Sequence, residues 1–127
     1  MSENLQRARI DYALKAVRRW PSIKRKDYAQ RAKSLPVELR TQGLLVTLAA
    51  LHGSAQAQLA EDVARWLLWE APRRTLPPQE RGRGDAIRQL YTACQDADRA
   101  AYRAAQAEAL ALAEHIKRFA TALNQED

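Results

Sequence analysis

The sequence predicts an all-α protein, a compact bundle of about six helices with no sheet. Alanine is abundant, β-branched residues are few, and apolar residues recur at helical spacing. The length of 127 residues is that of one ordinary domain, so we expect residues 1–127 to form a single helical domain. Folding of a chain this long buries about two-thirds of its surface. The chain is therefore long enough to form a hydrophobic core without disulfides or a structural metal.

Proline and glycine set the expected ends of the first three helices. The first helix is expected over residues 3–20, because the residue before Pro21 disfavours the α region. The second is expected over residues 23–34. The third is expected over residues 36–52, since proline is favoured in the first turn of a helix and Gly53 can form a left-handed C-terminal cap.

A long loop is expected to separate the fourth helix from the fifth. Ser54 can cap the fourth helix, which is expected to reach residue 70 or 71. Residues 71–84 then contain three prolines and two glycines and show no apolar period. Loops of this length in small domains are usually functional or disordered. Asp85 can cap the fifth helix that follows.

The final helix has the clearest apolar pattern of the chain. It is expected to begin at an N-cap formed by Asp96 or Asp98 and to reach about Asn124. Its apolar residues alternate in steps of three and four, which is a 3.5-residue seam: Tyr102, Ala105, Ala109, Leu112, Ile116, Phe119 and Leu123. We favour core packing within an antiparallel bundle over a seam for another chain.

Positive charge is concentrated in two parts of the chain. The formal net charge is +6, from 21 basic and 15 acidic residues. Residues 1–40 contain eleven basic and four acidic residues, and residues 71–88 contain five basic and two acidic residues. Residues 41–70 and 89–127 each have a slight excess of acids. An anionic partner would therefore be expected at the N-terminal third or at the loop.

The basic residues cluster at the expected corner between the first two helices, which predicts a nucleic-acid surface. A row of cations at about the spacing of phosphates binds RNA without regard to sequence, and its affinity falls with salt. A solvated basic face with no ligand is the competing interpretation. The candidate RNA-binding residues are five at the corner, two further along the chain and two in the loop: Arg18, Arg19, Lys24, Arg25, Lys26, Lys33, Arg40, Arg73 and Arg74.

Trp69 is the candidate for a partner interface. It projects away from the apolar face of the fourth helix, between Arg65 and Asp62. It either contacts a partner chain, where tryptophan is favoured, or is covered by the loop from Pro72 to Pro78. We slightly favour the loop.

The sequence offers little for catalysis. His52 and His115 are the two histidines, and a metal-free RNA-cleaving role for them is much less favoured than solvated or hydrogen-bonded histidines. No zinc-protease motif, P-loop or nucleophile elbow occurs. Cys94 lies on an apolar helix face and is expected to be a small core residue. We therefore expect no enzyme, no metal, no cofactor and no small-molecule substrate.

The sequence also predicts where the protein acts. The longest uncharged run, residues 41–60, is too polar to span a membrane, so no membrane association is expected. No signal peptide is indicated at the N-terminus. A single free thiol without a signal fits the reducing cytoplasm.

Three stretches together resemble a known family, the small α-helical subunit of type III-B CRISPR effector complexes, which is the fifth subunit of the Cmr complex. Residues 4–8 with Ala13 and Val17 form the first stretch, and residues 108–110 with 117–120 form the third. The middle stretch is the most specific: Tyr28, Ala32-Lys33-Ser34-Leu35-Pro36, Gln42-Gly43-Leu44 and Thr47-Leu48-Ala49. The resemblance covers almost the whole chain.

The resemblance implies a non-catalytic role in antiviral defence. Such small subunits stack as a short filament within a crRNA-guided ribonucleoprotein and help to hold the guide–target RNA duplex. The implied partners are other Cmr subunits, neighbouring copies of the same subunit, and crRNA with its target RNA. The alternative is a pure protein-interaction scaffold without direct RNA contact, whose basic face docks on acidic subunits.

Overall fold

The computed structural model describes residues 2–19, 22–81 and 85–125. Within these residues the chain forms six α-helices and no β-strand, which confirms the all-α prediction. Helix α4 continues directly into a π-helical turn, Trp66–Glu70, which we call the π-turn. The helices are α1 Ser2–Arg18, α2 Ser22–Gln42, α3 Leu44–His52, α4 Ala57–Arg65, α5 Ala86–Asp96 and α6 Arg99–Gln125.

The expected break between the second and third helices is wrong. Pro36 lies inside α2, and the break falls seven residues later, at Gly43. Leu35 and Leu39 on either side of the proline are fully buried, so packing keeps this stretch helical although proline has no backbone donor. Gly43 has φ +87° and ψ 169°, a conformation that residues with a Cβ rarely adopt. The glycine therefore ends α2.

Three of the expected helix caps differ in the structure, and one is confirmed. Gly53 follows α3 with φ −85° and not in the expected left-handed conformation, and its backbone N–H donates to the carbonyl of Ala49 at 3.2 Å. The Ser54 hydroxyl donates to the carbonyl of Leu51 at 2.7 Å and so closes α3, while α4 begins only at Ala57. Asp85 occupies the N-cap position of α5 without a side-chain hydrogen bond. Asp98 caps α6, because its Oδ1 accepts from the backbone N–H of Ala101 at 2.8 Å.

Helix α6 is the centre of the packing. Both α1 and α2 pack mainly on α6, whereas α4 packs on α3 and α5. Four residues of the predicted seam are fully buried (Ala105, Ala109, Leu112 and Ile116), and the remaining three pack against the core while partly exposed. The seam thus belongs to the internal core, as favoured from the sequence. Among the described residues, no helix is long and apolar enough to cross a membrane.

Gly43→Ala tests the break between α2 and α3. The added Cβ would be strained by the positive φ and would lie 3.4 Å from the Oε1 of Gln106. We expect a loss of about 1–3 kcal/mol in the free energy of unfolding, measured by urea denaturation. Gly53→Ala is the matched control, since Gly53 has φ −85° and its nearest neighbour would lie 3.7 Å from the added Cβ, an ordinary van der Waals distance. Equal stability losses in the two variants would contradict this account.

Candidate nucleic-acid interface

The exposed cations of α1 and α2 form the candidate interface. Arg18 ends α1 and is exposed, and Lys26 and Lys33 are exposed on α2. Lys26, Lys33 and Arg40 are spaced by seven residues, so they lie near one face of α2 over about 21 Å. The side chains of Lys24 and Arg25 lie outside the described residues. The structure therefore places Arg40 on the same helix as Lys33, whereas the sequence analysis expected it on the third helix.

Ion pairing divides the basic residues of the N-terminal third into two groups. Four arginines are paired with carboxylates: Arg9 with Glu108, Arg19 with Asp62, Arg31 with Glu38 and Arg40 with Glu114. Five cations have no carboxylate within 4 Å among the described residues: Arg7, Lys15, Arg18, Lys26 and Lys33. The second group can bind an anionic ligand without first breaking an ion pair.

The pairs of Arg40 and Arg19 differ in burial. The Arg40 and Glu114 side chains are 58% and 37% exposed, and such surface pairs contribute little to stability. The Arg19 side chain is 48% exposed, but its partner Asp62 is fully buried. Arg40 can therefore exchange Glu114 for another anion at low cost, whereas release of Arg19 would leave a buried carboxylate without its cation.

Asp62 joins three helices. Its Oδ1 accepts from Arg19 of the α1 end and from Gln58 of α4, each at 3.0 Å, and its Oδ2 accepts from the Tyr28 hydroxyl of α2 at 3.0 Å. Its backbone carbonyl accepts from the Tyr12 hydroxyl of α1. The Asp62 side chain itself has no exposure to solvent. The corner between α1 and α2 is thus fixed to α4 by one residue.

Burial raises the pKa of Asp62. Desolvation is the largest cause, and the hydrogen bonds from Gln58 and Tyr28 and the charge of Arg19 act in the opposite direction. Burial likewise raises the pKa values of Tyr12 and Tyr28 above 10.0, with the negative charge of Asp62 as the next cause for each. Both tyrosines near Asp62 therefore remain protonated donors at neutral pH.

A second buried acid ties α6 to α1 and to the π-turn. Glu108 accepts two hydrogen bonds from the Arg9 guanidinium, at 2.7 and 2.8 Å, and one from Trp66 Nε1 at 3.0 Å. The hydrogen bond to Glu108 is the main cause that raises the pKa of Arg9. Arg9 is therefore a structural cation and is not available to a ligand.

Sequence reasoning missed both buried acids, although a signal was present. Asp62 lies three residues after Leu59 and four before Trp66, and Glu108 lies three after Ala105 and four before Leu112. Each acid thus interrupts an apolar stripe at helical spacing. Such an acid needs internal hydrogen-bond donors, which here come from arginines and aromatic residues distant in the sequence.

The segment after the π-turn is held against the protein. Trp69 Nε1 donates to the carbonyl of Gln79 at 2.9 Å, and the Arg81 guanidinium lies 5.7 Å from the centre of the Trp69 ring. Leu76 is buried in the core. This segment therefore covers Trp69, the interpretation slightly favoured above, and the partner-interface role of Trp69 stays a prediction.

The same anchored segment presents two further candidate cations. Arg73 and Arg74 are both exposed, and neither forms an ion pair with a described residue. Arg81 differs, because it pairs with Glu70. Gly82, Arg83 and Gly84 lie outside the described residues.

The histidines have separate neighbours. His52 Nδ1 lies 3.0 Å from the Tyr91 hydroxyl, while burial and the charges of Arg118 and Arg9 lower the pKa of His115. The described residues contain no group of three metal-ligating side chains. Cys94 is buried, as expected, and desolvation raises the pKa of its thiol to about 11.

A cleft of about 630 Å³ lies beside Arg19, between α3, α4 and α5. Arg19 and Arg65 bring two positive charges to its wall, and Glu61 and Asp85 bring two negative ones. Glu61 also accepts from the backbone N–H of Ala86 and so occupies the N-terminus of α5. The balanced charge does not favour an anion here, so the exposed cations of α1 and α2 remain the better candidate.

These features define a class: a small all-α protein whose buried acids fix its helices and whose unpaired cations lie on the outside. The family model described as "CRISPR-associated protein (Cas_Cmr5)" matches residues 5–123. The chain belongs to this Cmr5 family, which confirms the resemblance to the small Cmr subunit.

A solved structure and the curated proteins give the remaining comparisons. The crystal structure of a CRISPR-associated Cmr5 family protein from Thermus thermophilus is similar, with a TM-score of 0.71 and 29% sequence identity. The match covers 93% of this chain and 96% of that one. No curated protein matches the sequence significantly.

Glu108→Ala tests the buried triad. Removal of the carboxylate leaves Arg9 and the Trp66 N–H without their acceptor, so we expect a loss of about 3–5 kcal/mol in the free energy of unfolding. Glu114→Ala is the matched control on the same helix and removes only the exposed pair with Arg40, for which about 0–1 kcal/mol is expected. Urea denaturation of both variants gives the comparison. Similar losses would show that burial does not set the strength of these pairs.

The pH dependence of stability tests the burial of Asp62. Because its pKa is raised above the ordinary value of 3.8, its contribution to stability is fully present below that value and is lost as pH rises through the folded-state pKa. Asp62→Asn cannot titrate. We therefore expect the melting temperature of the wild type to fall relative to that of the variant between acidic and neutral pH. A relative rise would mean that ion pairing with Arg19 outweighs desolvation.

Proposed function

We propose that this protein is a non-catalytic small subunit of a type III-B Cmr ribonucleoprotein effector. In this role it binds the backbone of the guide and target RNA through the exposed cations of α1 and α2. The observation that carries the proposal is the group of cations that have no ion-pair partner in the described part of the chain, above all Arg18, Lys26 and Lys33. Membership of the Cmr5 family supplies the context, in which base pairing provides the sequence specificity and the protein needs only to recognise the backbone.

Electrostatics supports contact with phosphates over contact with bases. Lysine and arginine side chains on a helix surface release counterions when they neutralise phosphates, whatever the sequence. Trp66 is buried in the core, and Tyr12 and Tyr28 donate to Asp62, so these rings are not available for stacking on bases. Arg73 and Arg74 provide a second, smaller basic surface for the same chemistry.

We also propose that neighbouring copies stack and that other Cmr subunits are partners in the assembly. Family membership supports both contacts. Val37 on α2 and Val46 on α3 are exposed by 54% and 59%, which makes them apolar side chains available to a protein partner. Val37 lies four residues from Lys33, so a protein contact and an RNA contact would be adjacent on α2.

Neutralisation of Arg18, Lys26 and Lys33, the cations on which the proposal rests, tests it. The triple variant Arg18→Gln, Lys26→Gln, Lys33→Gln should bind a labelled RNA duplex more weakly. The slope of log affinity against log salt should flatten by about 0.7–0.9 for each phosphate that the variant no longer neutralises. Fluorescence anisotropy over a range of salt concentrations gives both quantities. The melting temperature should change little, since none of the three side chains is buried.

The matched control changes the net charge equally at other positions. Arg88→Gln, Arg99→Gln, Arg103→Gln removes three exposed cations of α5 and α6 and should leave the slope near that of the wild type. If the slope of log affinity against log salt flattens equally in both variants, the loss of binding depends on net charge and not on the proposed surface. Wild-type protein that does not bind RNA, or binds without salt dependence, would favour the protein-interaction scaffold.

A further inference from the structure

We propose that Asp62 is a positioning residue for the RNA surface: it holds Arg19 in an ion pair as the anchor of the α1–α2 corner, so that Arg18 and Lys26 meet the RNA and Arg19 does not. This inference rests on the proposed function and sharpens it, because it divides adjacent arginines into a ligand-facing one and a structural one. It also gives a role in binding to a residue that no RNA can reach.

The Asp62 carboxylate contacts residues on both sides of the corner between α1 and α2. Helix α1 ends at Arg18, and the backbone N–H of Arg19 still donates to the carbonyl of Lys15 at 3.1 Å. The Arg19 Nη1 is 3.0 Å from one oxygen of Asp62, and the Tyr28 hydroxyl on α2 is 3.0 Å from the other. Asp62 therefore fixes the end of α1 and the first turns of α2 at the same time.

Helices α1 and α2 each pack mainly on α6, and Asp62 adds a direct link between them. The relative position of Arg18 at the end of α1 and Lys26 near the start of α2 is thus not set by extensive packing of one helix on the other. Contact with α4 through Asp62 is a second constraint on this position, besides the packing of both helices on α6. A corner ordered before binding loses less conformational entropy when RNA binds.

Burial explains why Arg19 stays with Asp62 when RNA is present. To bind Arg19, an RNA phosphate would have to break its ion pair with Asp62. The Asp62 carboxylate is fully buried, so water could not replace the lost cation. A buried charge without its partner is strongly unfavourable. Arg40 shows the opposite case, since its partner Glu114 is exposed and can be solvated.

The experiment measures the salt dependence of RNA-duplex binding for neighbouring arginines. Arg18→Gln should flatten the slope by about 0.7–0.9, the value for one neutralised phosphate. Arg19→Gln should leave the slope unchanged and lower the affinity at least about twofold, because the corner is less well ordered. Arg19→Lys keeps a cation that can pair with Asp62 and should restore affinity close to that of the wild type.

A double-mutant cycle tests whether Asp62 acts through Arg19. Asp62→Asn should weaken RNA binding in the wild-type background and add little in the Arg19→Gln background. If the two substitutions only reduced stability, each would lower the melting temperature by its own amount. The RNA affinity measured far below the melting temperature would then stay unchanged. If Asp62→Asn does not fold, the Arg19→Gln and Arg19→Lys variants still test the positioning role.

The outcomes separate the inference from the proposed function. If Arg19→Gln flattens the slope as much as Arg18→Gln, Arg19 contacts phosphate, the inference is overturned and the proposed function stands. Additive effects of Asp62→Asn and Arg19→Gln on affinity would also overturn the inference alone. If the wild type shows no salt-dependent binding, both the proposed function and the RNA role of Asp62 fail.

Discussion

The arrangement of this protein depends on a buried carboxylate that must remain paired. Asp62 has no exposure to solvent, and it accepts hydrogen bonds from the ends of α1 and α2 as well as from its own helix. Because a buried acid without donors is costly, these helices are held in one relative position. Glu108 applies the same constraint to α1, α6 and the π-turn. The small helical fold thus gains specificity from two polar clusters inside an apolar core.

The same constraint determines which cations remain for a ligand. Internal acids hold Arg9 and Arg19, while Arg18, Lys26 and Lys33 have no ion-pair partner among the described residues. A net charge of +6 does not show this difference, because paired and unpaired cations contribute equally to it. In the proposed RNA-binding role, the unpaired group contacts the phosphates and the paired group supports it from within.

The fold class, the core face of α6 and the position of the basic corner could all be predicted from local sequence patterns. Helical spacing of apolar residues identifies α6 because that signal needs no knowledge of other helices. The α2–α3 boundary could not be predicted in this way, since buried packing around Pro36 outweighed its preference for a first turn. The pairing of Arg19 with Asp62 joins residues 43 positions apart, and the helix packing that brings them together is not encoded in either local pattern.

The central claim is that RNA meets the corner and the outer face of α2. Amide chemical shifts recorded by NMR during titration with an RNA duplex test it most directly, because they locate the contact without any substitution. We expect perturbations to concentrate at residues 15–19 and 26–33, with a second, smaller group at residues 72–75. Perturbations confined to α3 and α5, or none at concentrations where the duplex is bound, would contradict it.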